Sequence, residues 1–216
     1  MNIKKTSLRL TTIGLLAFLA ISQAMAQEKT TMATLYSQFK PAVITLTDGR
    51  TITNPLTNVF LKNSSLLYMN NTYTMEANMT NIRQVTFDDN SFVVVKNQLA
   101  SVVDSAGSSV LYRIDYLDIE AYNAQLKNNI QLSHLSMTDF VNTDAVDLTS
   151  EEDRKFPLVH KYYMLYKGEL VLVHEREILR RLSKEKKRIF HTIISQPNFS
   201  WLNDASVVQL MKSITE

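Results

Sequence analysis

From residue 42 to about residue 118 the chain alternates short runs of β-branched, aromatic and aliphatic residues with polar turn signals. The runs fall at 42–47, 50–53, 59–62, 65–69, 72–76, 84–87, 92–95, 99–104 and 109–116. Asp48-Gly49, Asn70-Asn71, Asp89-Asn90 and Ala106-Gly107 lie between them. Runs of this length and spacing predict antiparallel strands that curl into a small barrel or a strongly twisted sheet. Ahead of them, residues 32–39 carry apolar positions that predict a short helix.

The first hairpin is specific enough to give a register. A two-residue Asp48-Gly49 loop would set Thr45 against Ile52. A three-residue loop, Thr47-Asp48-Gly49, sets Ile44 against Ile52 and Thr45 against Thr51, and puts Gly49 at the left-handed position that closes such a loop. Cross-strand apolar matching decides which face is buried, so the second register is expected.

Asp118 predicts a helix cap, with Ile119, Tyr122 and Leu126 following on one face. Residues 128–155 are polar, carry the acidic cluster Glu151-Glu152-Asp153, and read as a connector. A second hairpin follows around Lys167-Gly168. A two-residue turn there pairs Leu165 with Leu170, Met164 with Val171 and Tyr163 with Leu172, leaving both faces apolar and in want of cover. Helices at 175–182, at 184–195 behind a Ser183 cap, and at 204–215 offer apolar faces to it. The class expected is α+β: an antiparallel meander or small barrel, then a β-hairpin packed with C-terminal helices. The regions are 1–26, 27–127 (strands and trailing helix), 128–155 (connector) and 156–216 (hairpin and helices).

The first 26 residues read as a cleavable secretory signal. Lys4, Lys5 and Arg9 precede an apolar stretch at 10–21, and Ala24-Met25-Ala26 forms a cleavage pattern before Gln27. That stretch is well short of the ~20 apolar residues a membrane-spanning helix needs, and no later segment is long enough. The expected location is periplasm, cell surface or medium. The absence of cysteine removes disulfides, thiolate metal sites, a cysteine nucleophile and lipoprotein anchoring. Charge then changes meaning. The whole chain is +2, but loss of the leader leaves 20 basic residues against 21 acidic ones, so nucleic acid is not the expected partner.

Composition excludes several chemistries. Outside the leader the glycines are Gly49, Gly107 and Gly168, all in turns, so neither a phosphate-cradling loop nor a nucleophile elbow can be built. His174-Glu175-Arg176-Glu177-Ile178 is half of a zincin motif, with Ile178 where the second imidazole belongs. His160, beside a tyrosine-rich strand, reads as structural. The carboxylates Asp88-Asp89, Asp115 with Asp118, and Glu151-Glu152-Asp153 form no recognisable pair. No cofactor or metal is expected. Arg180, Lys184, Lys187 and Arg188, with His191, form a candidate anion-binding stripe if the helices at 175–182 and 184–195 run on with little break. An amphipathic helix also puts such charges outward as a solvated face. Tyr162, Tyr163, Tyr166, Phe199 and Trp201 read chiefly as core aromatics.

The strings ITLTDGRTITN, VFLKNSSLLYM and NMTNIRQVTFDD, with Ile82, Val85 and Phe87 in a closing strand, resemble a module of exported proteins of Bacteroidota. FPLVHKYYMLYKGELVLVHEREILRRL is similar to secreted proteins of the same bacteria. The resemblance implies a small-barrel fold and an envelope location; it carries no catalytic residues. It also makes Asp104-Ser105-Ala106, ahead of Gly107 in a predicted turn, similar to an O-glycosylation acceptor, with Ser105 as the modified residue. The expected function is a non-enzymatic envelope protein that binds a protein or glycan partner. A hydrolase of envelope polymers and a structural subunit of a secreted assembly stay open beside it.

Overall fold

A computed structural model describes residues 32–130 and 156–215. The leader reading at 1–26, most of the 128–155 connector and its acidic cluster lie outside the described residues. The chain is α+β, built on one curled antiparallel sheet of ten strands in the order β10-β9-β8-β7-β6-β5-β1-β2-β3-β4.

The first hairpin joins β1 (Lys40–Leu46) to β2 (Thr51–Phe60). Its register is Ile44 with Ile52 and Thr45 with Thr51, as apolar matching requires, and Gly49 has φ +88°. The Gly49 amide donates to the Leu46 carbonyl at 3.1 Å, closing the three-residue loop. β2 is one ten-residue strand where two runs were expected. Pro55 interrupts the apolar pattern, but the β1–β2 register shifts between Lys40 and Ala42, and that bulge takes up the proline.

β3 (Ser65–Asn70) and β4 (Tyr73–Glu76) follow, then a single 3-10 turn (Met79–Asn81) leads into β5 (Ile82–Thr86), β6 (Ser91–Val95) and β7 (Gln98–Ala106). The sheet curls until Ser64 meets β7: the Leu99 amide donates to the Ser64 carbonyl at 2.7 Å, and the Ser64 hydroxyl donates to the Leu99 carbonyl at 2.8 Å. Ala42, Ile44, Val59, Leu66, Ile82, Val85, Phe87, Phe92 and Leu99 are buried within this curl.

Residues 32–39 are not a helix. The Leu35 amide donates to the Val59 carbonyl and the Leu61 amide to the Ala33 carbonyl, both at 2.9 Å, so this segment runs beside the end of β2, bending at residues 35–37. Buried Asn58 holds it there: its carboxamide oxygen accepts from the Tyr36 amide and its nitrogen donates to the Tyr36 carbonyl. Tertiary pairing overrides the helical spacing of Leu35, Tyr36 and Phe39.

β8 (Ser109–Leu117) leads into helix α1 (Ile119–Ile130), where the Asp118 carboxylate accepts from the Ala121 amide at 3.0 Å. β9 (Leu158–Tyr166) returns beside β8 over eight residue pairs, from Val110 with Leu165 to Leu117 with Leu158. The second hairpin therefore extends the same sheet. β10 (Glu169–Leu172) pairs with β9 in the expected two-residue-turn register. Helices α2 (Glu175–Leu179), α3 (Lys184–Ile194) and α4 (Asp204–Thr215) pack Ile178, Phe190, Ile193, Val207, Leu210, Met211 and Ile214 against Leu111, Tyr162, Met164, Tyr166 and Val171. No helix among the described residues is long and apolar enough to cross a membrane.

Candidate functional site

Strand periodicity sorts β8–β10 into two faces. Leu111, Arg113 and Asp115 of β8, and His160, Tyr162, Met164 and Tyr166 of β9, share the helical side. The apolar cluster on the opposite side is built from strand residues alone. Across it run two rows of partners: Val102–Tyr112–Tyr163–Leu172, and Ser105–Val110–Leu165–Leu170. Val102 is 52% exposed and Leu172 37%, while Tyr112 and Tyr163 are half-buried. On the same face Val95, Ala100 and Ile114 are buried beside these rows, with Tyr116 packed against them.

Some of the polar groups on this face are engaged within it. The Tyr116 hydroxyl donates to Gln98 at 2.9 Å, and Gln98 donates onward to the Asn63 carbonyl. Lys161 sits over the Tyr116 ring and Lys96 over the Tyr163 ring, at 4.9 and 5.3 Å from the centroids. Val102 and Leu172 leave aliphatic carbon outward at the two ends of the first row. Tyr163 therefore belongs to this face, whereas Tyr162, Tyr166, Phe199 and Trp201 pack in or against the helical core as expected. Ser105 is exposed on β7, opposite Val110; it lies in the strand and not in the turn that begins at Gly107.

On the helical side a polar network interrupts the core. Arg113 donates to Asp115 at 2.9 Å and to Asp204 at 2.6 Å. His160 Nδ1 lies 2.8 Å from Asp115, and the Tyr162 hydroxyl donates to Asp204 at 2.7 Å. Burial works against the Arg113 charge, but the carboxylates of Asp115 and then Asp204 outweigh it and hold its pKa above the ordinary range. Burial, reinforced by the bond to Asp204, pushes the Tyr162 hydroxyl up as well. Both carboxylates of this network accept from one guanidinium, an arrangement that fixes the start of α4 to β8. Lys212 of α4 reaches Asp104 of β7 at 2.8 Å and fixes its other end.

The basic stripe is not continuous. α2 stops at Leu179, Ser183 is extended (φ −64°, ψ 163°), and its hydroxyl caps α3. Arg180 and Lys187 still come together across that turn, lining a groove of about 540 Å³ with His174, Glu175, Arg176 and Leu179. Lys184, Arg188 and His191 are exposed and share the helical spacing of Lys187. Sequence spacing did not bring out Arg176 or His174 as part of this group. Ile178, the misfit of the half-zincin motif, is a core residue, and no group of three or more His, Asp or Glu among the described residues could hold a metal ion.

No family model matches the chain, and neither a curated protein nor a solved structure does.

Proposed function

We propose that this is an exported envelope protein that works by holding another protein, without turnover of its own. The observation that carries the reading is the sheet face of β7–β10 opposite the helices, with its row Val102–Tyr112–Tyr163–Leu172. Such a face costs the isolated chain the hydrophobic stabilisation that covering it would supply, at roughly 25 cal/mol per Å² of apolar area. β10 adds to it, because its outer edge pairs with no strand among the described residues and offers backbone donors and acceptors to a partner strand.

The chemistry of the face favours a protein over a glycan. Its exposed ends, Val102 and Leu172, are aliphatic and suit an apolar protein side chain better than a sugar hydroxyl, and the Gln98 amide is committed to the Asn63 carbonyl. Export rests on the tripartite leader, Ala24-Met25-Ala26 and the absence of cysteine. The hydrolase reading would look to Asp115 and His160. Asp115 is tied to Arg113, and the groove of about 540 Å³ is lined by other residues.

The test is quantitative capture of envelope proteins on the immobilised chain and on a Val102→Lys/Leu172→Lys variant. Both changes are at exposed positions, so the circular dichroism should be unchanged. A protein held at stoichiometric amount by the parent and lost from the variant supports the reading. Equal capture by both, or a hydrolytic turnover abolished by Asp115→Asn in a folded variant, overturns it.

A further inference from the structure

The cations at the α2–α3 turn differ from most others on the described surface; Lys62 and Arg83 likewise make no ion pair among the described residues but lie apart from the turn. Lys40, Arg50, Arg113, Arg181 and Lys212 each face a carboxylate, and Lys96, Lys161 and Lys167 lie over tyrosine rings. Arg176, Lys184, Lys187 and Arg188 make no ion pair among the described residues. Arg180 is held by Glu177 at 2.9 Å, a contact with one of its terminal nitrogens.

Three of these cations meet in a concavity. Arg176 and Arg180 stand four residues apart, so they share one side of α2 and its C-terminal cap. The break at Ser183 turns the chain so that Lys187 of α3 faces them, and His174 stands at the start of α2. Leu179 supplies the apolar wall, and Glu175 is the one carboxylate in the lining. Like charges gathered beside a low-dielectric wall repel one another and raise the local potential, a standing cost that a bound anion removes.

We propose that this groove is a binding site for a phosphate group carried on an anionic ligand, contacted by Arg176, Arg180 and Lys187. Glu177 offsets Arg180 and Glu175 lines the groove, so hydrogen-bond geometry more than net charge selects the ligand. A phosphate brings up to two charges and three acceptor oxygens, which suit two guanidinium forks and an ammonium. At about 540 Å³ the groove is larger than a phosphate needs, which leaves Leu179 to contact the group that carries it. The site is on the helical side of the sheet, so it does not depend on the protein-docking face.

Pyrophosphate is the soluble probe and phosphatidylglycerol vesicles are the surface probe, both with the purified full chain. Calorimetric titration should give pyrophosphate binding that weakens with added salt, since exposed charges are screened over ~8–10 Å. Arg176→Gln/Lys187→Gln should weaken it at least about tenfold, the low end of what charge-assisted hydrogen bonds contribute. Lys62→Gln/Arg83→Gln, which removes two cations outside the groove, should leave the affinity unchanged. Pyrophosphate binding with no vesicle retention supports a soluble phosphorylated ligand. Retention on vesicles that pyrophosphate competes away, and that the groove variant loses, supports a lipid headgroup. Absence of binding to both probes, or equal weakening by the two double variants, overturns the proposal.

Discussion

Replacing Arg113 with Met keeps the aliphatic stem and removes the guanidinium that joins Asp115 to Asp204. Asp115 bears most of the consequence, because it is 8% exposed and is left with His160 alone at 2.8 Å. Breaking a buried pair by removing one partner costs about 3–5 kcal/mol. Arg113 is 28% exposed on its side chain, so water can partly replace it and the lower end applies, about 3 kcal/mol. Asp204 is 42% exposed, keeps the Tyr162 hydroxyl, and adds no more than about 1 kcal/mol. The total is about 3–4 kcal/mol. Urea unfolding followed by Trp201, the only tryptophan, reads this directly, because that ring packs against Phe190 and Phe199 in the helical core. With a slope of about 2 kcal/mol per molar, the midpoint should fall by about 1.5–2 M. Adding Asp115→Asn to the variant removes the unpaired charge and should recover about 2 kcal/mol. A cost under about 1 kcal/mol, or no recovery in the double variant, would refute the view that this network clamps α4 to the sheet.

Gly49→Val should cost about 1–2 kcal/mol in thermal or urea unfolding; a Cβ there meets nothing within 4 Å, so the whole cost is backbone strain at φ +88°, and unchanged stability would rule that out. Burial pushes the Tyr36 hydroxyl up to about 12. A phenol with a raised folded-state pKa contributes stability that is complete below its unfolded value near 10 and is lost as pH rises through about 12. Phenolate absorbance should therefore lose one late-titrating group in Tyr36→Phe, and an unchanged titration curve contradicts the assignment. The secreted chain should have an intact mass lacking residues 1–26 and should need no detergent; a precursor-sized product would sink the leader reading.

Local rules carried far where partners are close in sequence. Both registers, at Thr47-Asp48-Gly49 and at Lys167-Gly168, follow from matching apolar residues across a turn with a glycine at its last left-handed position, Lys167 taking the other one in the second turn. The Asp118 and Ser183 caps were readable for the same reason. Reading failed where distant chain decides. Leu35, Tyr36 and Phe39 have helical spacing, but buried Asn58 draws the segment along β2. The runs at 50–53 and 59–62 read as separate because nothing local announces the irregularity in β2 that carries the strand through Pro55. Arg113 and Asp204 are 91 residues apart, so their pairing was invisible. One signal was present: in β8, Arg113 and Asp115 share the parity of buried Leu111, which places two charges on a core face. The open face was legible only in part. The second hairpin was seen to be apolar on both sides, but not which side the helices would take.

Whether the sheet face meets a protein partner is best tested by photocrosslinking in the producing cell. A benzophenone amino acid is placed at Val102 or Leu172 on the open face, and at Ile189 or Leu202, exposed positions on the helical side. The account predicts that Val102 and Leu172 give adducts with the same protein and that the other two positions do not. Adducts absent from both sheet positions, or formed equally from all four, would contradict it.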